Sequence, residues 1–525
     1  MSDVLVAGAG PTGLTLACDL LASGVSVRVV DAAPGPARTS RALGLQPRGG
    51  EVLDRAGALA DVDQWSIPLR KVAIDLGGRS AAVLQVGRRT ALVTRPARLV
   101  SQAEVEAGLR RRLAQLGQTE EWNLGVVRAG QGEDQVTVGL SDGSTARCAW
   151  LVGCDGAHSR VRKLAGIGFP GVQIIERFLL ADVHADLPAP RDSASVWLHG
   201  DQILAAFPLP GLDLWRLMAP APPGTPEGLK SAAIVDLLSA RLSERAGWPS
   251  SRIVATEWTS VFKIQRRLAD RYREGRILLA GDAAHIHSPL GGQGMNTGLG
   301  DAENLAWKLA LVASHRAEPS LLDSYELERR PIAADVLSST SALTRMVVGE
   351  STLARVLRDR LFVPLLHRPA VQRRIWEHAS QLKVTYRCGP LAGNTWTRFR
   401  TRPQAGDRVP DWSCRHGDGT VTRLHAELGS RWVLLTPSSP PMGATQALMQ
   451  CSELVRRRLG ADLVTVLTTD RLDRNSAMLV RPDGHLGWRG APSASSVDRW
   501  LTRVLGVDPT SQPAAETPIN AGPLS

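Results

Sequence analysis

The chain opens on an apolar run, Val4 to Ala7, too short for a helix and bounded by glycines, which predicts a buried strand. After Gly8-Ala9-Gly10-Pro11-Thr12-Gly13 the period changes. Leu14, Leu16, Ala17, Leu20 and Leu21 share one helical face, Gly24 ends that helix, and Val25 to Val30 forms a second strand closing on Asp31. A similar unit recurs far downstream. Ile277-Leu278-Leu279-Ala280 reads as a strand, Gly281-Asp282 as its turn, and a loop runs through Pro289 to Gly291-Gly292. Leu299, Ala302, Leu305, Ala306 and Leu309 then mark a helix.

Between these units the pattern predicts short strands at Val72–Leu76, Ala81–Gln85 and Thr90–Val93, then a helix over Ala103–Leu116. A hairpin turns at Ser141-Asp142-Gly143, and a strand at Trp150 runs into Gly153-Cys154-Asp155-Gly156 and a short helix from Ser159. Residues 171–265 alternate in period two, at Ala194–Leu198, Ile203–Phe207, Asp213–Met218 and Trp258–Ile264, with one helix at Ala232–Leu242. That predicts an antiparallel sheet inserted into the first fold. Helices follow at Leu321–Arg329, Ile332–Val348, Leu353–Leu366 and Val371–Leu382. Pro, Arg and Gly over Leu391–Pro410 read as a linker, and a compact α/β unit closes the chain, with strands at Trp432–Thr436, Leu463–Leu467 and Met478–Val480 and helices at Ala444–Leu459 and Val497–Leu505.

The 525 residues call for more than one domain. The expected division is a discontinuous α/β domain (1–70, 97–170 and 266–345), an inserted β-sheet domain (71–96 and 171–265), a helical connector (346–390), a carboxy-terminal domain (391–508) and a disordered tail (509–525). The net charge of +11 is spread along the chain without a long basic block, which argues against nucleic-acid binding and favours attraction of anionic small molecules. No apolar run reaches membrane-spanning length, and the start lacks a signal-peptide pattern, so a cytoplasmic protein is expected. The six cysteines show no CxxC and read as reduced structural thiols. His285 and His287 lie two apart with no third ligand in sight, so no metal is expected.

Strand, glycine turn, helix, strand and acid in that order predict a dinucleotide site. Gly8 permits the tight turn, Gly10 lets the backbone approach a pyrophosphate, Gly13 lets helix and strand pack closely, and Asp31 is placed to accept ribose hydroxyls. At the second unit the backbone amides near Gln293 to Asn296 open a helix, whose positive end favours an anion.

Three motifs now stand in order: Gly8-x-Gly10-x-x-Gly13 with Asp31; Gly153-Cys154-Asp155-Gly156-x-x-Ser159-x-Val161-Arg162; and Gly281-Asp282-Ala283-Ala284-His285 through Pro289-x-Gly291-Gly292-Gln293-Gly294-Met295-Asn296. Together they resemble the class A flavoprotein monooxygenases, the para-hydroxybenzoate hydroxylase family, and within it the aromatic polyketide and phenol hydroxylases. The resemblance implies an α/β fold: a Rossmann-like FAD-binding domain, an inserted antiparallel-sheet substrate domain, a helical segment and a thioredoxin-like carboxy-terminal domain. It implies FAD as cofactor, NADPH as co-substrate and molecular oxygen, with hydroxylation of a bulky polycyclic phenol through a flavin C4a-hydroperoxide. Baeyer–Villiger oxygenation, antibiotic-inactivating hydroxylation and a reductase without oxygen insertion are the alternatives. Carried over by residue, Thr12 joins the glycines at FAD, Gln102 lies along the ribityl and phosphate portion, Asp155 contacts FAD and the nicotinamide nucleotide, and Gly281 and Asp282 hold the ribityl chain. Gly292, Gly294, Met295 and Asn296 face the isoalloxazine with Pro289, and Arg41 assists reduction by NADPH, with Arg48 a further active-site arginine. Trp197, Phe207, Trp215, Phe262 and Leu290 are the candidate substrate contacts, of which strand alternation allows about half to face a pocket. A monomer or homodimer is expected, with a small aromatic substrate and neither nucleic acid nor membrane as partner.

Overall fold

A computed structural model describes residues 2–37, 42–199, 202–222, 224–226, 228–287, 292–348, 352–392 and 403–506. The first sheet places three distant pieces of chain side by side. Ser2–Ala7 pairs in parallel with Val27–Val30 on one side and Thr145–Gly153 on the other, and Thr145–Gly153 pairs in parallel with Ile277–Leu279. Leu5, Leu151 and Ile277 fall in register across these strands. Their carboxyl ends, Ala7, Gly153 and Leu279, therefore lie together, and each runs into a glycine turn. In an open parallel sheet that is the edge where ligands bind.

The second sheet has eight strands in the order His285–Ile286, Ile253–Leu268, Gly171–Ala185, Leu214–Pro220, Gln202–Pro208, Ser193–His199, Lys71–Leu76 and Arg79–Gln85. Alternation gives it two faces. Leu179, Ala181, Trp197, Leu204, Trp215 and Leu217 pack against the helix Ser231–Ala246. Phe178, Leu198 and Ile203 pack with Met218 and Phe262 on the other face.

The carboxy-terminal unit is a six-stranded sheet in which only Trp432–Pro437 and Val464–Thr469 are parallel neighbours. Trp432 meets Trp307 of the helix Gly294–Ala313 edge-on, 5.1 Å between centroids. Among the described residues no helix is long and apolar enough to cross a membrane.

Several expectations needed correction. Thr90–Val93 is not a strand: the Thr90 hydroxyl accepts from the Leu92 and Val93 amides at 3.2 and 3.0 Å, closing a turn instead. The two helices expected around Pro331 are one, Asp323–Val348, with the proline inside it, and Glu328 and Arg329 just before it are held by ion pairs. The helix expected at Leu353–Leu366 is interrupted by a π-turn at Arg358–Phe362. The described ends of the expected linker carry buried residues, Leu391, Ala392 and Val409. Residues 393–402 and the tail from 509 lie outside the described residues.

A buried ionic junction fastens the carboxy-terminal sheet to the helices beneath it. Arg481 donates to both oxygens of Glu328 at 2.8 and 2.9 Å and to Asp483, Lys308 adds a bond to Glu328 at 2.8 Å, and Trp307 Nε1 donates to Asp483 Oδ2 at 3.3 Å. Burial alone would raise both carboxyls. Arg481 overrides it, with Lys308 for Glu328, so Asp483 stays far below the ordinary range and Glu328 comes down to about 2. Removing one partner of such a buried set leaves an uncompensated charge. Arg481→Met is expected to cost about 3–5 kcal/mol in chemical denaturation. Because the folded carboxyls titrate below their unfolded values, their stabilisation is complete above the ordinary Glu value of 4.5 and is lost as pH falls toward 2. The wild type should therefore lose stability across that window faster than the Arg481→Met chain.

Candidate active site

The site begins at the first glycine turn, where the glycines do different work. A Cβ on Gly8, at φ +110°, would fall 2.3 Å from the Cys154 carbonyl oxygen, and one on Gly13 would fall 2.0 Å from the Gly8 oxygen. Those two permit backbone contact. A Cβ on Gly10 would meet nothing within 4 Å. Gly10 therefore keeps open a space that the protein itself does not fill. The helix behind it, Pro11–Ala22, carries no side-chain cap. Its first-turn amides thus face the opening, an arrangement suited to a phosphate. Asp31 ends the neighbouring strand. Its Oδ2 accepts from the Ala9 amide at 2.7 Å and Oδ1 from the Ala33 amide at 2.8 Å.

On the opposite side Gly281 and Gly292 both take φ +62°. The helix Gly294–Ala313 starts there, again without a side-chain cap. Asn296 does not reach the opening. It clamps the slot: Nδ2 donates to the Gly44 and Gly292 carbonyls at 2.9 and 2.7 Å, and Oδ1 accepts from the Gln46 amide at 2.8 Å. A Cβ on Gly44 would stand 3.5 Å from Gly292 Cα, so two bare backbones face each other. Below them, Asp301 is fully buried. Its Oδ2 accepts from the Gly281 amide at 3.1 Å and His285 Nε2 at 2.6 Å, and its Oδ1 accepts from Arg329 Nε at 2.8 Å. Burial pushes its carboxyl up, but His285 and Arg329 outweigh that and leave it below the ordinary range.

Both slots open into one cavity of about 1340 Å³. Gly10, Thr12, Gln102, Asp282, Gly292, Gly294 and Met295 line it, whereas Gly8, Gly13, Asp31, Asp155, Gly281 and Asn296 of the same motifs are not among its lining residues. Phe207 and Phe262 line it from the inserted sheet. Trp197 and Trp215, expected as substrate contacts, do not. They lie on the opposite face of the sheet, against the helix Ser231–Ala246, because neighbours in a strand point to opposite sides. Arg48 is also displaced from its expected role. It is buried away from the lining, 2.7 Å from Glu303 and donating to the Asp483 carbonyl at 2.8 Å, so its charge serves the domain junction. Asp155 spends its carboxylate on its own helix, accepting from Ser159 Oγ at 2.5 Å and the Arg160 and Val161 amides at 2.7 and 3.0 Å. Its neighbours Cys154 and Gly156 reach the cavity instead. Arg41, Pro289 and Leu290 lie outside the described residues.

Sequence reading missed the contribution of the connector. Arg358, Phe362, Val363 and Trp376 line the cavity. Their local pattern is that of any half-buried helix, so nothing in the chain marked them. The signal for Asp301 was present but unread: a carboxylate within the apolar stretch Leu299 to Leu309 demands a partner.

Residues 1–340 match the family model described as FAD binding domain, and residues 402–507 match the one described as aromatic-ring hydroxylase, C-terminal. The chain is 36% identical over 514 residues to the 12-dehydrotetracycline 5-monooxygenase/anhydrotetracycline 6-monooxygenase of Streptomyces rimosus, covering 94% of this chain and 96% of that one. A rifampicin monooxygenase of Streptomyces venezuelae is 33% identical over 502 residues, covering 93% and 96%. Among solved structures, a ternary complex of aklavinone-11 hydroxylase with FAD and aklavinone superposes with a TM-score of 0.78 at 26% identity, covering 96% of this chain and 99% of that chain.

The glycine geometry separates packing from ligand binding. Gly13→Ala should lower the melting temperature of the flavin-free protein, since its Cβ would meet backbone at 2.0 Å. Gly10→Ala should leave that temperature unchanged and still purify with little flavin, read from the absorbance spectrum. A fully yellow Gly10→Ala protein would remove the pyrophosphate from this turn.

Proposed function

The chain belongs to the FAD-binding aromatic-ring hydroxylases and is a flavin-dependent monooxygenase, and on that premise we propose that it uses NADPH and molecular oxygen to hydroxylate a bulky polycyclic phenol of polyketide type. The observation that carries this is the single cavity. Its 1340 Å³ exceeds the roughly 300–1,000 Å³ of an ordinary small-molecule site. It runs from two uncapped helix starts to an apolar wall, room for a dinucleotide and a fused-ring substrate together. The relatives named above act on tetracycline-type molecules and rifampicin, and one structure holds FAD beside aklavinone.

The cofactor, when bound, supplies hydride acceptance and transfer of one oxygen atom to the substrate. The chain supplies position and surroundings. Asp31 accepts ribose hydroxyls with the lone pairs its two amide bonds leave, Gln102 and Asp282 border the ribityl chain, and the Gly294 and Met295 amides stabilise negative charge at the ring edge without giving up a proton. Phe178, Phe207, Phe262 and Met218 exclude water from the reacting face. Arg41 serves reduction by NADPH. Segments 1–70, 97–170 and 266–345 form the cofactor domain, and 71–96 with 171–265 the substrate domain. The carboxy-terminal unit is a thioredoxin-like scaffold without redox work: Cys414 is buried, and burial pushes its thiol up to about 11, which suppresses the thiolate.

A mass-spectrometric screen against tetracyclic and angular phenols tests the whole reading. NADPH oxidation should require both oxygen and phenol, and the product should carry one atom from labelled dioxygen. Insertion beside a ketone would assign Baeyer–Villiger chemistry instead, and NADPH oxidation without labelled product would assign a reductase. In stopped flow, Arg41→Ala should slow flavin reduction about tenfold or more while FAD binding changes little.

A further inference from the structure

The cavity has an open side and a closed one. Pro226, Gly228 and Lys263 line it and are exposed, so they form its rim toward solvent. Beside the edge strand Arg79–Gln85 the lining is buried instead, in Ala97, Val363, Leu366 and Trp376. The helix Pro369–Ala379 makes this closure, bridging the edge of the inserted sheet and the start of the helix Gly294–Ala313. At the sheet, Gln372 Nε2 donates to the Val83 carbonyl at 3.1 Å, and Gln372 Oε1 accepts from the Gln85 amide at 3.3 Å. At the other end, Gln293 Nε2 donates to the Ala379 carbonyl at 3.0 Å, and the Arg48 amide to the Ser380 carbonyl at 3.1 Å. Fastened at both ends, this wall cannot move outward without breaking hydrogen bonds.

Trp376 sits between these fastenings and is the largest side chain among the described lining residues. Its Nε1 donates to the Arg88 carbonyl at 3.2 Å, and its ring packs with Val93, Ala97 and Leu382. An indole has one donor and no acceptor. That donor is spent on the protein, so what Trp376 offers the cavity is carbon. Its neighbours in the closed wall are smaller or less fixed. Val363 and Leu366 are aliphatic, and Phe362 is only half-buried. The sheet beside them contributes Val72, Ile74 and Leu84, again without a polar group. Such a wall cannot select by hydrogen bonding. It selects by volume, because extra bulk in a packed apolar site forces the surroundings to shift. The side chain that decides is the one with the most volume and the least freedom to move, which is Trp376.

We propose that Trp376 is a specificity-determining residue: it is the stop that limits how far a fused-ring substrate extends toward the edge strand, and so sets the number of rings accepted. The inference rests on the polycyclic-substrate reading above. It is tested on the FAD-loaded full chain by titrating the flavin absorbance with linear hydroxyquinones of increasing length: a hydroxyanthraquinone, a hydroxytetracenequinone and a hydroxypentacenequinone. At one step of this series the added ring should weaken wild-type binding about tenfold or more. Trp376→Leu should relieve that step, improving the longer member about tenfold relative to the shorter one. Trp376→Phe should relieve part of it. A wild type whose affinity never falls along the series overturns the inference and leaves the polycyclic reading standing. A Trp376→Leu protein that changes every member by the same factor also overturns it, since a merely structural role would act that way. A wild type that binds no member overturns the polycyclic reading itself, and this inference with it. Should Trp376→Leu fail to fold, Trp376→Phe decides: a step as steep as in the wild type overturns the inference.

Discussion

One buried carboxylate organises the catalytic end of this molecule. Asp301 has no access to water, yet its two oxygens hold the Gly281 amide, the His285 ring and the Arg329 guanidinium. Each of these belongs to a different element: the turn after a parallel strand, the edge strand of the second sheet, and the long helix Asp323–Val348. Because Asp301 rides on the helix Gly294–Ala313, that helix and the Gly281–Asp282 turn cannot shift independently. Arg329 extends the connection through the Tyr386 hydroxyl at 3.0 Å and the Thr297 carbonyl at 2.9 Å. A buried network of this kind is costly unless complete, and once complete it imposes one geometry.

The second constraint is simpler. The inserted sheet has a period of two, and its two faces meet different neighbours. One face closes on the helix Ser231–Ala246 and is an ordinary core. The other faces the cavity, which Val363, Leu366 and Trp376 of the connector also line, and forms its apolar wall. Trp197 and Phe207 differ in role because they fall on opposite faces. Their aromatic character was equally visible in the chain.

Charge is divided in the same way. Arg48, expected as an active-site arginine, serves structure. Arg48 and Arg55 converge on Glu303, and Arg481 answers Glu328 and Asp483. These pairs dock the carboxy-terminal sheet on the cofactor helices, and Trp307 against Trp432 fills the space between. Buried pairs add little net stability compared with apolar packing, but breaking one is costly, which makes them good selectors of a single docking geometry. The cavity cations lie outside that set, and among the described lining residues Asp282 is the one carboxylate.

What the chain alone determined was local and ordered: strand, glycine turn and helix at Val4–Leu21, the same grammar at Ile277–Leu309, the acid at Asp31, and the alternation of residues 171–265. Turn geometry, helix starts and strand period depend on near neighbours, so the local pattern suffices to predict them, and the family resemblance followed from their order. Tertiary structure decided everything that depends on which distant pieces meet. It brought the carboxyl ends of three strands into register, turned Trp215 from the pocket, assigned Arg48 to a domain junction and put Arg358 of the connector into the cavity wall. A side chain's partner across hundreds of residues leaves no period in the local pattern, and for a charged residue the partner decides between catalysis and structure.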